Sequence, residues 1–452
     1  MLTVREAVKT ILRDVADPKK FNRLALVVLG IALAVRLLVF AAFWNSWEWR
    51  TGGTPDQWNE LAINLVDYHT LGYSSAPSDP SVLRGPIFPV LLAPLYILFS
   101  DRYWIWSIAL LLFDTGTCFL LILLARKILG ERAALLAGIF YALNLPIIYY
   151  TAKINQMTTM MPMVIVWWYL FCLWEKDYFR GWIPWALGLT SGLMILNKTV
   201  YLPVPIICSA VLVWIKRSEI SGIRQLTPVL IYFVISIGVV APWTYRNFVV
   251  TKGSLVPVQA YAWQPFVQNV LFYDFEQEKG LDAPDGEVIK YVLHRQDEIL
   301  IAHGVAQNPT PGTRALWDVQ CEKAFADASM KWIKENPTKI LKAKVANIWQ
   351  FWVRAENWRK TRLFIAMQTV YLGAAVFGGV LMLRFGKIER LKFGLLLVLI
   401  LWLEHCPVWA YGRLSLDLVP ILGLLLGLGV DSWATMRGGE KWAKVPGGPT
   451  SR

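Results

Sequence analysis

The chain has few charged residues and no clustered cysteines. Only 17% of its 452 residues are Asp, Glu, Lys or Arg, against roughly 25% in soluble globular proteins. The five cysteines form no CxxC pair, which argues against a disulfide framework or a zinc site. With 56% hydrophobic residues, a mean hydropathy of +0.44 and 23 tryptophans, the composition predicts an all-α polytopic membrane protein with aromatic belts.

A cleavable signal peptide is not expected either. Residues 1–22 carry apolar and basic side chains on opposite sides of a predicted helix, which we interpret as a cytoplasmic interfacial helix. The net charge of +13 is a feature of nucleic-acid-binding proteins as well, but the positions of the basic residues in short loops account for it better. We therefore expect membrane lipids, and no nucleic acid, as partners.

Ten apolar runs are long enough, or nearly so, to cross a bilayer. They cover residues 23–44, 103–125, 132–150, 156–174, 181–197, 199–215, 226–246, 363–383, 391–410 and 414–433. A further run, 86–100, is short and has prolines at positions 86 and 89, so it is either an eleventh span or a helix at the interface.

Positive charge decides between these alternatives. If 86–100 does not cross, every short basic loop falls on the side of the N-terminus, as the positive-inside rule requires. We therefore predict ten spans in the cytoplasmic (inner) membrane, both termini in the cytoplasm, and 86–100 as a juxtamembrane helix. The predicted organisation is an interfacial helix 1–22, a transmembrane module 23–246 with a first outer loop 45–102, an outer loop domain 247–362, transmembrane helices 363–433 and a basic cytoplasmic tail 434–452.

This topology places the polar connections on the outer face, away from the cytoplasm. They are residues 45–102, 149–156, 197–201, 247–362 and 405–413. Such a layout is typical of a site built at one membrane face, and we find no internal repeat of the kind expected in a transporter with duplicated halves. The loop domain would cap the cavity and select the acceptor, and Lys339, Lys342, Lys344 and Trp349 predict an interfacial helix at its end.

A short helix in the first outer loop carries the most informative carboxylate. Thr54 is a good N-cap, Pro55 suits the first helical position, and Gln57 completes a capping box. Apolar residues then recur at helical spacing from Trp58, which predicts a helix with one face on the membrane. Asp56 falls in the first turn, where it faces the outer cavity or only complements the helix dipole, worth about 0.3–1 kcal/mol.

Four sequence blocks lie in the same order and on the same predicted face. They are Asp56 through Gly72-Tyr73 to Arg84-x-Pro86-x-x-Pro89, then Ala241-Pro242-Trp243-Thr244-Tyr245-Arg246-Asn247, then Glu335-Asn336-Pro337, and finally Arg413. Together they resemble the C-type glycosyltransferases, with the bacterial branch that includes protein O-mannosyltransferases and the lipid A aminoarabinose transferase as the nearest group. The resemblance runs from about residue 30 to 430.

The resemblance implies an inverting transfer of a sugar from a polyprenyl-phosphate donor to a hydroxyl or amine outside the cytoplasm. The acceptor would be a glycolipid, a polysaccharide or a protein. Asp56 would be the catalytic base. The alternative function is a transporter or flippase of a polyprenyl-linked glycan. Relatives often carry Glu where this chain has Gln156, and a neutral amide binds cations only weakly. No cofactor is therefore certain and no metal site is indicated, although a role for a divalent metal ion stays an open alternative.

The departing phosphate needs cations near the outer interface. The candidates for phosphate binding are Arg84, Lys153, Lys198, Arg246 and Arg413. The candidates for lining the substrate cavity are Tyr73, Gln156, Glu404, His405 and Tyr411. Two alternatives stay open: the cations could only extend to lipid headgroups, and Glu404 and His405 could be a satisfied polar pair between helices.

Two charges lie deeper in the membrane. Arg36 and Asp114 sit at similar depths on successive spans. Opposite charges at one depth predict a buried ion pair with a structural role.

Overall fold

The computed structural model describes residues 18–44, 57–73, 77–218, 220, 222–280, 286–355, 358–385 and 388–437. These residues form helices and no β-strand, so the all-α prediction is confirmed. Outside the described residues lie positions 1–17 of the predicted interfacial helix 1–22, most of the basic tail, and Thr54, Pro55 and Asp56. Residues 18–22 are part of the first long helix.

The helices of the first half are named in chain order. They are α1 Pro18–Ala42, α2 Trp58–Asp67, α3 Ile87–Phe99, α4 Tyr103–Leu129, α5 Glu131–Ala142, α6 Leu145–Ala152, α7 Met157–Lys176, α8 Trp182–Asn197, α9 Val204–Ile215 and α10 Thr227–Val250. The second half contains α11 Trp263–Lys279, α12 Glu287–Ala302, α13 Arg314–Glu335, α14 Pro337–Val353, α15 Trp358–Arg384, α16 Lys392–His405 and α17 Val419–Arg437. Short 3₁₀ turns precede α9, α10, α16 and α17.

Six of the described helices are long and apolar enough to cross a membrane, and a bent pair adds a seventh. The six contain α1, α4, α7, α10, α15 and α17. The predicted spans 181–197, 199–215 and 391–410 are helical but shorter, since α8, α9 and α16 have 16, 12 and 14 residues. The chain is a multi-pass membrane protein, and its orientation across the membrane stays a prediction.

The predicted span 132–150 corresponds to two helices that together are long and apolar enough to cross a membrane. It is broken into α5 and α6, whose axes differ by 54°. Pro146 lies in the first turn of α6, where a proline is tolerated, and the Asn144 side chain caps the new helix by accepting a hydrogen bond from the Ile147 amide at 3.2 Å. In the same way Pro407 follows the last residues of α16, which ends at His405 rather than at 410.

Close contacts between small residues hold the centre of the bundle. Helix α17 packs against α5 and α15, and α8 packs against α10. A Cβ atom at Gly427 would lie only 2.2 Å from the carbonyl oxygen of Ala133, so only glycine permits this approach of α17 to α5. The central helices α7 and α17 are largely buried, whereas α1, α10 and α15 expose long apolar faces suited to lipid.

The predicted ion pair between Arg36 and Asp114 is confirmed. Arg36 Nε and Nη2 lie 2.8 and 2.6 Å from Asp114 Oδ2, and both side chains are fully buried. Arg36 also donates to the carbonyl oxygens of Ala32 and Ala142, while the Tyr141 hydroxyl donates to the other carboxylate oxygen of Asp114. The charges are therefore enclosed by hydrogen bonds within the bundle, as a buried pair requires.

One prediction for α2 is wrong. The described helix begins at Trp58, directly after Gln57, which adopts a left-handed conformation (φ 54°), and the predicted cap at Thr54 lies outside the described residues. Its apolar face does not lie on the membrane, because Trp58 and Leu61 are buried against Phe88 of α3 and neighbouring residues. The apolar face of α2 predicted from the helical spacing exists, but it packs against other residues of the protein and not against lipid.

Helices α11 to α14 occupy most of the predicted loop domain 247–362. Helices α11, α12 and α13 pack on one another through a small apolar core that includes Val267, Leu271 and Phe325. Helix α14 joins α11 and α13 to the turn that precedes the last span. The domain thus has its own core and reaches the ends of the membrane helices.

Candidate active site

A cavity of about 320 Å³ lies where the five predicted outer segments meet. Each segment contributes side chains to its wall, which include Trp58, Arg84, Gln156, Lys198, Thr199, Tyr261, Gln268, Glu404, His405, Trp409 and Arg413. The segments are distant in sequence, so their convergence is a property of the fold.

Six of the predicted site residues line this cavity. They are Arg84, Gln156, Lys198, Glu404, His405 and Arg413. Asp56 lies outside the described residues, but Trp58, only two positions further along the chain, is part of the cavity wall. Three of the six are basic and one is a carboxylic acid, and the two arginines, Arg84 and Arg413, make the lining favourable for an anion.

Four other predicted residues are absent from the described cavity lining. Tyr73 is buried in the cluster around α2, with the Arg314 guanidinium 4.8 Å from its ring centre. Lys153 places its ammonium 4.4 Å from the ring of Tyr149. Arg246 and Tyr411 hold neighbouring chain segments in place, as described below.

Arg84 reaches the cavity from a tightly held loop. Its guanidinium carbon lies 4.4 Å from the ring centre of Tyr261 and 5.7 Å from that of Trp58, which restricts the directions it can take. At the next residue, Gly85, a Cβ atom would be 2.0 Å from the carbonyl oxygen of Leu196. The absence of a side chain there lets the loop lie directly on the end of α8.

Two charged residues fasten this loop from opposite sides. Arg246 donates to the carbonyl oxygen of Ser81 at 2.8 Å. Asp318 of α13 accepts from the Ser81 hydroxyl at 2.7 Å and from the Val82 amide at 3.0 Å, and it pairs with Arg314 at 2.9 Å. Burial raises the pKa of Asp318, against the opposing effect of Arg314 and these hydrogen bonds. Arg246 and Asp318 therefore position the loop that carries Arg84.

Lys198 has a partner that sequence reasoning missed. Its ammonium lies 2.6 Å from Asp417, which also accepts from the Tyr201 hydroxyl at 3.3 Å, and all three side chains are buried. A carboxylate at this distance neutralises much of the lysine charge, so Lys198 is a weaker anion ligand than predicted. Asp417 could have been found, because an acidic residue in the apolar run 414–433 needs a partner.

Glu404 and His405 both face the cavity. Among the described residues Glu404 Oε2 has no hydrogen-bond partner, and His405 Nδ1 donates to the Leu401 carbonyl oxygen of its own helix at 2.7 Å. In that part of the chain no three His, Cys, Asp or Glu side chains are grouped as metal ligands. Glu404 is thus the carboxylic acid that the described cavity presents to a substrate.

Arg413 stands at the end of an aromatic turn. Its guanidinium carbon lies 5.7 Å from the Tyr411 ring centre, and Tyr411 stacks on Trp409 with ring centres 5.6 Å apart. Helix α14 and the residue after it hold the turn. Asn347 donates to the Cys406 carbonyl oxygen at 2.7 Å, and the Gly412 amide donates to the carbonyl oxygen of Arg354 at 2.7 Å. The loop domain therefore positions this side of the cavity too.

The prediction that Lys344 lies at a lipid interface is wrong. Its ammonium is 3.7 Å from the ring centre of Phe266 and donates to Asn269 Oδ1 at 2.8 Å and to the Val408 carbonyl oxygen at 3.0 Å. Burial lowers the pKa of Lys344 to about 7. Its charge therefore depends on pH near neutrality, at the junction of the loop domain and the cavity turn.

Replacing Lys344 with methionine should change how stability depends on pH. Because the pKa of Lys344 is about 7 when folded and about 10.4 when unfolded, the unfolded chain binds more protons between these values. This group therefore makes stability rise with pH from about 7 to about 10. Thermal midpoints in one detergent should show that rise reduced in Lys344→Met. Equal pH slopes in the variant and wild type would show that the lysine is not desolvated.

Comparisons with known proteins agree with this architecture. Residues 83–245 match the family model for dolichyl-phosphate-mannose-protein mannosyltransferase. No curated protein matches the chain by sequence.

The chain is also similar to solved membrane structures. Archaeal oligosaccharyltransferase AglB from Archaeoglobus fulgidus, in complex with an inhibitory peptide and a dolichol-phosphate, superposes with a TM-score of 0.52 at 14% identity over 90% of this chain and 50% of that one. The structure of the Archaeoglobus fulgidus oligosaccharyltransferase in complex with Zn and sulfate gives a TM-score of 0.51 at 14% identity, over 91% of this chain and 49% of that one. ArnT from Cupriavidus metallidurans in the apo state covers 89% and 76% at 16% identity, but its TM-score of 0.36 supports no inference.

The chain spans about half the length of the oligosaccharyltransferase structures it matches. At this identity the superposition establishes the fold alone. Together with the family match, it confirms the resemblance to C-type glycosyltransferases that the four sequence blocks indicated.

Proposed function

We propose that this multi-pass membrane protein, which resembles the C-type glycosyltransferases in fold and in residues 83–245, is an inverting glycosyltransferase. It moves a sugar from a polyprenyl-phosphate donor to the hydroxyl or amine of an acceptor. The observation that carries the proposal is the convergence of five polar segments on one cation-lined cavity at the ends of membrane helices. The cavity faces outward from the inner membrane, and both termini lie in the cytoplasm.

The cations of the cavity have the role of receiving the departing phosphate. Arg84 and Arg413 present guanidinium groups to the cavity. A guanidinium can bind two oxygens of one phosphate at once, and it stays charged at all relevant pH values. Lys198 contributes less, because Asp417 already neutralises much of its charge. Negative charge that develops as the glycosidic bond breaks is then stabilised by groups that are already oriented.

Asp56 is the proposed base. It removes the acceptor proton as the acceptor oxygen or nitrogen attacks the sugar, on the side opposite the departing phosphate, which inverts the configuration at that carbon. Trp58, two positions further along the chain, lines the cavity. Gln156, an amide in the same wall, cannot serve as a second base.

The alternative, a transporter or flippase of a polyprenyl-linked glycan, predicts polar groups along a path through the bilayer. The polar side chains described above gather instead in one cavity, and the deeper pair Arg36–Asp114 is closed within the bundle. These features favour an enzyme.

Replacing Arg413 with methionine tests the phosphate site. We expect kcat/KM for a polyprenyl-phosphate sugar to fall by roughly a hundredfold, because a charge-stabilising donor is lost at the leaving group. Methionine keeps much of the side-chain length, so folding should be preserved. The measurement is transfer of radiolabelled sugar by purified protein in lipid nanodiscs.

The matched control is Arg359→Met, at an exposed arginine in the first turn of α15. It should retain wild-type kinetics. If both variants lose activity equally, or if Arg413→Met keeps full activity, Arg413 does not bind the donor phosphate.

A further inference from the structure

A second, larger hollow lies on the loop domain. It has a volume of about 750 Å³ and is bounded by the end of α11, by α12, and by the start of α14. We call this hollow the loop-domain groove. Its volume is within the range of small-molecule binding sites in proteins.

The groove combines aromatic rings with many hydrogen-bonding groups. Tyr273 and Tyr291 are half-buried in its wall, beside the amides of Gln277 and Asn336. Rings offer flat apolar faces, and amides and carboxylates can both position hydroxyl groups. A ligand with apolar CH faces and many hydroxyls, which is a saccharide, matches such a wall.

The charges of the groove are balanced. Its acidic residues are Asp274, Glu278 and Glu335, and its basic residues are Arg295, Lys339 and Lys342. Lys339 pairs with Asp274 at 2.7 Å, and Arg295 pairs with the neighbouring Glu298. A polyanion or a strongly charged headgroup would gain little attraction here, whereas a neutral ligand meets no net repulsion.

An aromatic strip joins the groove to the candidate active site. Tyr273 also lines a narrow cleft together with Phe272, Trp409 and Tyr411. Phe272 and Trp409 have ring centres 5.3 Å apart, and Trp409 is part of the wall of the active-site cavity. Aromatic residues therefore line the way from the groove to the candidate active-site cavity.

We propose that the loop-domain groove binds the saccharide part of the acceptor, so that the acceptor is a glycan or glycolipid rather than a peptide. This inference rests on the proposed function and narrows its acceptor class. The groove holds the acceptor sugars, and the aromatic strip directs the accepting hydroxyl toward the cavity. Nothing in the described groove offers a strand edge with which an extended peptide backbone could pair.

Direct binding tests the groove without any need for activity. The probes are three neutral trisaccharides, built from mannose, glucose and N-acetylglucosamine, and one uncharged hexapeptide. Each is added to the full-length protein in nanodiscs and followed by saturation-transfer NMR. We expect at least one trisaccharide to bind, and the peptide not to bind.

Two groove variants and one control locate the bound sugar. Tyr291→Ala and Glu278→Gln should each weaken binding at least fivefold, whereas Glu287→Gln, on the exposed start of α12 outside the groove, should bind as the wild type does. The rings of Tyr291 and Phe275 have centres 5.3 Å apart, so the Tyr291 variant is first checked for an unchanged melting temperature. Glu278 is exposed, so its variant keeps the test valid if Tyr291→Ala unfolds.

Three results would overturn the proposal. They are no trisaccharide binding, binding that both groove variants leave unchanged, and peptide binding that Glu278→Gln weakens. In transfer assays with an envelope glycolipid fraction, the groove variants should raise the acceptor KM at least fivefold with the donor KM unchanged. If sugars bind in the groove but the wild type transfers none from any polyprenyl-phosphate donor, the proposed function fails and the groove assignment stands.

Discussion

Asp114→Ala should destabilise the protein by about 3–5 kcal/mol, because it leaves a buried guanidinium without its counter-charge. Arg36 is fully buried and keeps only the carbonyl oxygens of Ala32 and Ala142 as described acceptors. Loss of Asp114 also removes the carboxylate acceptor of the Tyr141 hydroxyl, which keeps only the weak acceptor Met161 Sδ at 3.2 Å. The measurement is the unfolding free energy from denaturant titration in one detergent.

A double variant separates the charge effect from lost packing. Arg36→Met combined with Asp114→Leu removes both charges and should recover a large part of the stability lost in Asp114→Ala. If Asp114→Ala were as stable as the wild type and lost only turnover, Asp114 would have a catalytic role instead of this structural one.

Asp56→Asn should abolish sugar transfer, with a loss of at least a hundredfold in kcat and no loss of stability. The substitution keeps the size of the side chain but removes its ability to take a proton. The competing interpretation is that Asp56 only complements the dipole of α2, which begins two residues later at Trp58. In that case Asp56→Asn would cost about 0.3–1 kcal/mol of stability and leave turnover unchanged. Initial rates at saturating donor and acceptor measure the effect.

The control for Asp56→Asn is Asp101→Asn. Asp101 is an exposed acidic residue in the same predicted outer loop and is absent from the described cavity lining. It should leave turnover unchanged. Full activity in a folded Asp56→Asn protein would mean that another group is the base, and Glu404, which faces the cavity, would be tested next.

The sequence predicted those features that depend on hydrophobicity, charge and order along the chain. The positions of basic loops brought five segments to one predicted face, and the structure shows these segments around one cavity. Similar depth in the membrane correctly paired Arg36 with Asp114. Both predictions use only the order of residues along the chain. A bilayer relates that order to the side of the membrane and to the depth at which a residue lies.

Features that depend on lateral packing could not be predicted. Lys198 and Asp417 are 219 residues apart, and no periodicity relates them. Lys344 has the spacing of an interfacial lysine, but the ring of Phe266 and the turn at Val408 cover it. The apolar face of α2 was found, yet its partner α3 was not, because a pattern shows that a face is apolar and not what covers it.

Sugar transfer from a lipid-phosphate donor, the reaction proposed for the cavity, can be measured directly. Purified protein in nanodiscs is incubated with a polyprenyl-phosphate sugar of defined anomeric configuration and with an envelope glycolipid and polysaccharide fraction. Product is analysed by mass spectrometry and NMR. We predict a glycosylated acceptor with inverted configuration and one released polyprenyl phosphate per transferred sugar. A lipid-linked sugar that stays intact with every donor and acceptor, or that only moves between leaflets, would contradict the account.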